Sequence, residues 1–405
     1  MTVRIPKHFF RLLRGLCLPT LSEVPNRRIG SPWSKVDEAW TFPVVLFAIT
    51  RLALVACSYM GLMLTLRSFD GSAKCLPPLR SHPALQSFCC WDCGWFHRAA
   101  IEGFRTVASA QVFPLLPFLA WLLKTTLHIP QQYGLMIVAN LASLASYCVL
   151  FRLFRRLEGT GAARWGVTAL ASYPFHFFQA VGYSESLMVL GSALAMLLAL
   201  QGHHVRAGLA LGLGALARHI TLFAGVGLLL AQIRQRGVNP KRFLLSRDFV
   251  GLVLPFLFLG GWVLYLYFHF HSWTTIHDAR MASWWGSKGR AYWGVFDALK
   301  HMPYNLHPEY FFYAIFAFIP LAGTIALFFR RRWAELAGSA AILLFLCYWS
   351  GGPSLGRYTG SCWPAFLPIG IWLARRPYLG PILLGALMLF QGLFFFLHGH
   401  GFEIV

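Results

Sequence analysis

Apolar runs of about membrane-spanning length recur along this chain, and short clusters of Lys and Arg punctuate them. A bilayer core of ~30 Å takes about 20 mostly apolar residues in helical form. The runs are continuous and lack the period-two alternation of barrel strands, so they predict an all-α, polytopic membrane protein. A first crossing is predicted over 43–66 and the next clear one over 132–151, where Arg152, Arg155, Arg156 and Arg164 follow. Lys and Arg are retained on the cytoplasmic side, and that cluster therefore sets the direction of both. The run VFPLLPFLAWLL (112–123) contains Pro114 and Pro117. A full crossing there would put the arginines outside, so it is read as interfacial or re-entrant on the outer side.

Spans at 165–181 and 185–201 are predicted to form an outward hairpin with GYSES at its tip. Residues 207–232 begin and end near basic residues but are too short for two full crossings. Two short helices meeting at Arg218–His219 reconcile length with charge. Spans at 249–268, 310–329, 334–349, 362–374 and 378–397 complete a bundle of about 9–12 membrane helices. The predicted organisation is a basic cytoplasmic segment, 1–42, followed by one membrane domain, 43–405. Its first outer loop, 67–131, carries short interfacial helices. In 1–42 the piece KHFFRLLRGLCL fits either an amphipathic helix on an anionic surface or a solvated tail. With no long apolar core or small-residue cleavage site, the segment is not expected to be a cleavable signal.

Composition sharpens this picture. Hydrophobic residues make up 57% and charged residues 12%, against roughly 25% charged in soluble domains, and the mean hydropathy is +0.57. The net charge of +21 would suit nucleic acid, but the basic residues lie between apolar segments and no nucleic-acid module is present. Membrane lipids are the expected surroundings, and nucleic acid is not an expected partner.

Five polar stretches then fall on the predicted outer face: 91–104, 182–186, 218–219, 269–297 and 351–358. Chance scatter would have mixed the sides. The chain has 14 acidic residues, and those placed outside are Asp70, Asp92, Glu102, Glu185, Asp278, Asp297, Glu309 and Glu403. Carboxylates beside hydrocarbon mark functional sites or ion pairs. Asp92 fits a catalytic acid or base, and equally a cap on a helix starting at Cys93. Glu185 fits a site residue or a first-turn carboxylate favoured by the helix dipole. Arg218 lies amid Leu, Ala and Ile and needs an anion, either a carboxylate or a phosphate. Arg357, in a Gly/Pro/Ser-rich loop on the same side, offers a second cation.

His97, His176, His219, His269, His271 and His277 show no metal-ligand spacing. Cys75, Cys89, Cys90 and Cys93 share the outer loop, where a structural disulfide is allowed and its pairing is open. Trp91, Trp95, Tyr183, Trp284, Trp285 and Trp293 fit either a sugar-stacking surface or an interfacial aromatic belt.

The motifs themselves resemble a known family. WDCGWFHRAAIEGF (91–104), VFPLLPFL, PFHFFQAVGYSESLMVL, ARHITL and LGRYTGSCWPAFLPIG resemble, in the same order, the signature segments of PIG-V-like mannosyltransferases and their bacterial relatives. The resemblance spans about residues 43 to 400. It implies a GT-C glycosyltransferase fold with its site at the first outer loop, and a polyprenyl-phosphate-linked sugar, typically mannose, as donor. The acceptor is an unspecified glycan, lipid or protein hydroxyl.

Carried over, Asp92 is the expected general base and Glu185 a second carboxylate of the catalytic site. Trp91, Trp95, Tyr183, Arg218, Arg357 and Tyr358 are expected to bind substrate, the arginines through the lipid phosphate. Inverting transfer without an obligatory metal is expected, because a phosphate leaving group needs no general acid. The expected place is the inner (plasma) membrane, with the N-terminus cytoplasmic and the site extracytoplasmic; the endoplasmic-reticulum membrane is the alternative. Ala99, Ala100, Phe104 and His219 depart from the family pattern and bear on substrate identity more than on the acid. A lipid-linked sugar transporter, for which internal repeats are missing, and a non-catalytic scaffold are the competing classes.

Overall fold

A computed structural model describes residues 38–64, 75–76, 83–236, 246–282, 308–338 and 355–402. Most of the basic segment 1–42, most of the predicted span 334–349, and Trp284, Trp285 and Trp293 lie outside the described residues. The described residues form helices joined by turns and irregular stretches, with no strand among them beyond an isolated bridge between Cys75 and Cys90.

Among the described residues, five helices have the length and apolarity to cross a bilayer. They are α1 (Glu38–Leu64), α4 (Gln131–Ala171), α8 (Arg247–Phe270), α10 (Pro308–Phe329) and α13 (Leu379–Gly399). Between them run α2 (Cys93–Glu102), α3 (Leu115–Leu127), α5 (Glu185–Leu200), α6 (His204–Ala217), α7 (Ala224–Arg236), α9 (Thr275–Ala282), α11 (Leu355–Thr359) and α12 (Phe366–Ala374). The chain is thus a multi-pass membrane protein whose full spans alternate with shorter apolar helices.

α4 is two helices, not one. Gly159 takes φ 85° and ψ 173°, a backbone that only glycine adopts without strain, and the chain reverses there. Gly166 consequently lies against the ring of Phe154, whereas twelve helical residues would otherwise separate them by about 18 Å. The first half covers the predicted 132–151 span; the second stops at Ala171, so the predicted 165–181 span is only partly helical and gives way to the irregular stretch 172–184. α3 has only 13 residues, about 20 Å, and lies back along the start of α4, with Ala120 against Gly134. The proline-bearing 112–123 run is therefore a helix too short to span. α6 and α7 are likewise short, separated by the extended residue Arg218 (φ −156°, ψ 125°) and the turn His219–Phe223, as the length of 207–232 predicts.

Charged groups sort to the two ends of the bundle. At one end Arg164 pairs with Glu38, Arg152 lies over Trp40, Arg332 pairs with Glu158, and Arg156 donates to the Leu200 carbonyl. Leu200 closes α5, and Glu185, which opens it, lies about 22 Å away along the axis. The candidate residues gather at this second end.

Packing between helices relies on close backbone approach. A Cβ on Gly208 of α6 would run into the Gly251 carbonyl oxygen of α8, and one on Gly251 into the His204 carbonyl. Small residues at such contacts let helices meet without a hydrophobic driving force from water. Nearer the site, Phe175 stacks on Phe394 of α13 at 5.0 Å and meets Tyr313 of α10 edge-on. We expect Gly251→Val to lower the yield of monodisperse protein severely, while Gly261→Ala, whose Cβ meets nothing, leaves it unchanged. Size-exclusion chromatography of the detergent-extracted variants checks this.

Candidate active site

The loop before α2 is stitched twice, by disulfides Cys75–Cys90 and Cys89–Cys93. Two adjacent cysteines bonded to opposite sides leave Trp91 and Asp92 on a tight corner. Trp91 adopts φ 55°, a left-handed backbone that costs a non-glycine residue free energy. Its indole N–H donates to the His398 carbonyl of α13 at 3.1 Å. Asp92 stands at the N-cap of α2, but its carboxylate accepts no capping hydrogen bond. The capping reading of Asp92 therefore leaves its charge unspent. The Tyr183 hydroxyl holds this corner in place, accepting from the Asp92 amide and donating to the Cys90 carbonyl, both at 3.1 Å.

Tyr183, Ser184 and Glu185 belong to the turn that follows the second half of α4, a stretch buried from Ala169 through Val189. Glu185 opens α5 and its side chain is wholly buried. Arg218 reaches it from the α6–α7 break, Nη2 to Oε1 at 2.8 Å, and donates from Nε to the Ser184 hydroxyl at 3.1 Å. Arg357 of α11 makes the central contact. Its Nε lies 2.5 Å from the same Glu185 oxygen, and its Nη1 donates to Asp92 Oδ2 at 2.6 Å. The ring of Tyr358 faces both guanidiniums, at 4.8 Å from Arg218 and 5.8 Å from Arg357, and Tyr183 faces Arg357 at 5.0 Å.

Two carboxylates and two guanidiniums thus form one network, Asp92–Arg357–Glu185–Arg218. Asp92 is its most open member, with 19% of the side chain exposed against 5% for Arg357. Burial pulls the Arg357 pKa down, but Glu185 and Asp92 offset it and the net shift is upward, so this guanidinium stays charged. Burial, reinforced by the Asp92 charge, raises the Tyr183 phenol well above its usual range. Tyr183 is therefore a neutral hydrogen-bonding group. Burial pushes His97 down, and it is neutral at pH 7.

Of the residues predicted from sequence, Asp92, Glu185, Tyr183, Arg218, Arg357 and Tyr358 converge, and Trp91 anchors beside them. Trp95 does not touch the ion network; its ring lies under Arg98 at 5.7 Å. Asp278 accepts from Thr274 at 2.7 Å in a local turn, away from the cluster. His219 stacks on Phe113. No three His, Cys, Asp or Glu groups gather with metal-ligand geometry among the described residues. Ser184 and Arg51 went unremarked in the sequence. The signal for Ser184 was its place in the GYSES tip, and that for Arg51 an arginine inside an apolar span.

No protein-family model matches this chain, and no curated protein matches it in sequence. Solved structures do resemble it. ArnT from Cupriavidus metallidurans, bound to undecaprenyl phosphate, aligns at a TM-score of 0.53 with 15% identity, over 87% of this chain and 63% of that one. The Archaeoglobus fulgidus oligosaccharyltransferase AglB, solved with an inhibitory peptide and a dolichol-phosphate, aligns at 0.46 with 12% identity, over 91% and 56%. The chain therefore spans less than two thirds of the length of these proteins. The ArnT alignment carries the fold: an all-α, multi-pass membrane domain folded like that of ArnT.

The disulfide pattern is directly checkable. Under non-reducing conditions the tryptic peptides 75–80 and 81–98 are expected as one linked species lacking all four thiol hydrogens. Fragmentation should assign Cys75 to Cys90.

Proposed function

We propose that the protein is a membrane glycosyltransferase that moves a sugar from a polyprenyl-phosphate donor to an acceptor hydroxyl, with inversion. The observation that carries this reading is Arg357 bridging Asp92 and Glu185 at one end of a GT-C-type bundle. ArnT is of the same fold and binds undecaprenyl phosphate, which supports a polyprenyl phosphate here. Mannose as the sugar, and PIG-V-like membership, rest on the motif resemblance around 91–104 and 183–187.

The roles follow from the geometry. Asp92, the most open carboxylate, takes the proton of the acceptor hydroxyl as that oxygen bonds to the anomeric carbon. The bond from that carbon to the phosphate oxygen breaks, and its electrons leave with the phosphate. Arg357 and Arg218 face the growing negative charge. Glu185, buried between them, fixes their planes and offsets their charge before the donor arrives. Tyr358 stacks beneath both. Two guanidiniums at the leaving group supply the positive charge the step needs, so the reading calls for no resident metal.

One consequence concerns order. Asp92 Oδ2 is held by Arg357 Nη1 at 2.6 Å, so that oxygen is closed to a substrate hydroxyl while the pair stands. A donor phosphate competing for Arg357 loosens that pair and frees Asp92 to accept a proton. Donor binding thereby arms the base. On the topology set by the basic clusters, this chemistry faces the extracytoplasmic side of the inner (plasma) membrane.

We expect Asp92→Asn to lower transfer from labelled polyprenyl-phosphate mannose by about 10²–10⁴-fold at equal protein level. Binding of polyprenyl phosphate itself should hold or tighten, because Arg357 loses a competitor. Transfer at the wild-type rate by this variant would remove Asp92 from the mechanism. A wild type that carries the lipid across vesicles without transferring sugar would point to a transporter instead.

A further inference from the structure

Arg51 lies near the middle of α1, thirteen residues past Glu38, or about 20 Å along the helix. An arginine at such depth is costly, and its acceptors Asn140, Ser143, Gln179 and Thr50 are uncharged. Its Nε donates to Asn140 Oδ1 at 2.7 Å, and its Nη2 to the Ser143 hydroxyl at 2.5 Å and the Gln179 carbonyl at 3.4 Å. Its Nη1 donates to Thr50 at 3.3 Å, and the guanidinium lies over Phe47 at 4.5 Å. No member of the Asp92–Arg357–Glu185–Arg218 network is among these partners.

What Arg51 holds is informative. Asn140, oriented by Arg51, donates from Nδ2 to the Ala180 carbonyl at 2.8 Å. Arg51 and Asn140 thereby occupy two consecutive carbonyls, Gln179 and Ala180, of the irregular buried turn that leads to Tyr183, Ser184 and Glu185. A buried backbone carbonyl outside regular structure needs such a partner. The Gln179 side chain in turn donates to the Gly360 carbonyl at 3.3 Å, three residues after Arg357. Tyr147, whose ring faces Arg51 at 6.0 Å, hydrogen-bonds His176 in the same turn at 2.8 Å. One guanidinium on α1 therefore braces the segment carrying Glu185 and, through Gln179, the segment carrying Arg357.

We propose that Arg51 is a positioning residue: it sets the height of the 176–184 turn so that Glu185 and Arg357 meet, without itself touching substrate. Its planar fork reaches α1, α4 and the turn at once, a span that a lysine ammonium on a flexible stem does not reproduce. The charge is retained in the membrane for that geometry. The catalytic consequence rests on the glycosyltransferase reading above; the geometric one does not.

The test compares full-length wild type, Arg51→Lys and Asn140→Ala in lipid nanodiscs. Arg51→Lys keeps the charge. Asn140→Ala keeps Arg51 but removes the acceptor of its Nε and the donor to the Ala180 and Met136 carbonyls, and carries the test if the first variant fails to fold. Three quantities are read: amide exchange of 176–184, affinity for polyprenyl phosphate, and kcat for sugar transfer per folded molecule. With unfolding temperature within a few degrees of wild type, exchange of the turn is expected to rise about tenfold and kcat to fall at least as much, the scale of one lost hydrogen bond in a buried site. The double variant should be little worse than either single one, because both act through one turn. Unchanged exchange in the turn, or unchanged kcat per folded molecule, overturns the proposal. If the wild type transfers no sugar from any polyprenyl-phosphate donor, the proposed function fails, and exchange and phosphate affinity still decide this one. Both unchanged in Arg51→Lys would overturn it.

Discussion

A wholly buried carboxylate with two guanidiniums against one oxygen is the constraint around which this molecule is arranged. Glu185 meets Arg218 at 2.8 Å and Arg357 at 2.5 Å, and both arginines come from segments remote in sequence. Removing one partner from a buried ion pair typically costs about 3–5 kcal/mol, since a charge is left without compensation. The segments that supply these groups are accordingly tied down: an extended break at Arg218, a short helix around Arg357, and a buried turn before Glu185. None of them is a regular span. Irregular backbone at membrane depth survives only where protein satisfies it, and side chains such as Asn140, Gln179 and Gln391 do so. Gln391 of α13 alone donates to the carbonyls of Ala171 and Tyr173.

The network is balanced in charge but not in exposure. Glu185 is sealed in, whereas Asp92 keeps a fifth of its side chain open. The two carboxylates are thus divided in labour by environment rather than by residue type. The sealed one orients the cations, and on the proposed glycosyltransferase reading the open one is the carboxylate that meets the acceptor hydroxyl. The double disulfide stitch serves this division. It holds the strained Trp91–Asp92 corner against Tyr183 and α13, so that the open acid is as well placed as the sealed one.

Much of this was legible in the sequence, and for physical reasons. Membrane spans declare themselves by length, and their direction by arginine clusters, so the reversal near residue 159 and the two half-length helices around Arg218 could be read from charge and length alone. The ion network was visible as single charges that apolar surroundings could not tolerate. The pairing within it was not. Arg218 could equally have met a phosphate, and nothing in spacing says that Arg357 bridges Asp92 to Glu185. The cysteines show the same limit: four in one loop announce cross-linking, while their partners depend on how residues 75 and 89–93 cross in space. Trp95 shows the opposite failure, a motif residue that turns toward Arg98 and away from the charges.

Arg51 explains why a pattern-based reading stops where it does. A lone arginine in an apolar helix signals function by its cost, but its targets were a main-chain carbonyl, Gln179, and the side chain of Asn140 that meets the next one, and carbonyls have no sequence signature. The side chains that accept from it, Asn140 and Ser143, are ordinary residues for a membrane helix. Only their placement opposite the 176–184 turn gives them meaning. An enzyme-like site in a membrane has to hold irregular backbone steady in a medium that offers no water to satisfy it. The groups that do so are therefore small, uncharged and unremarkable in sequence, apart from the one cation that organises them.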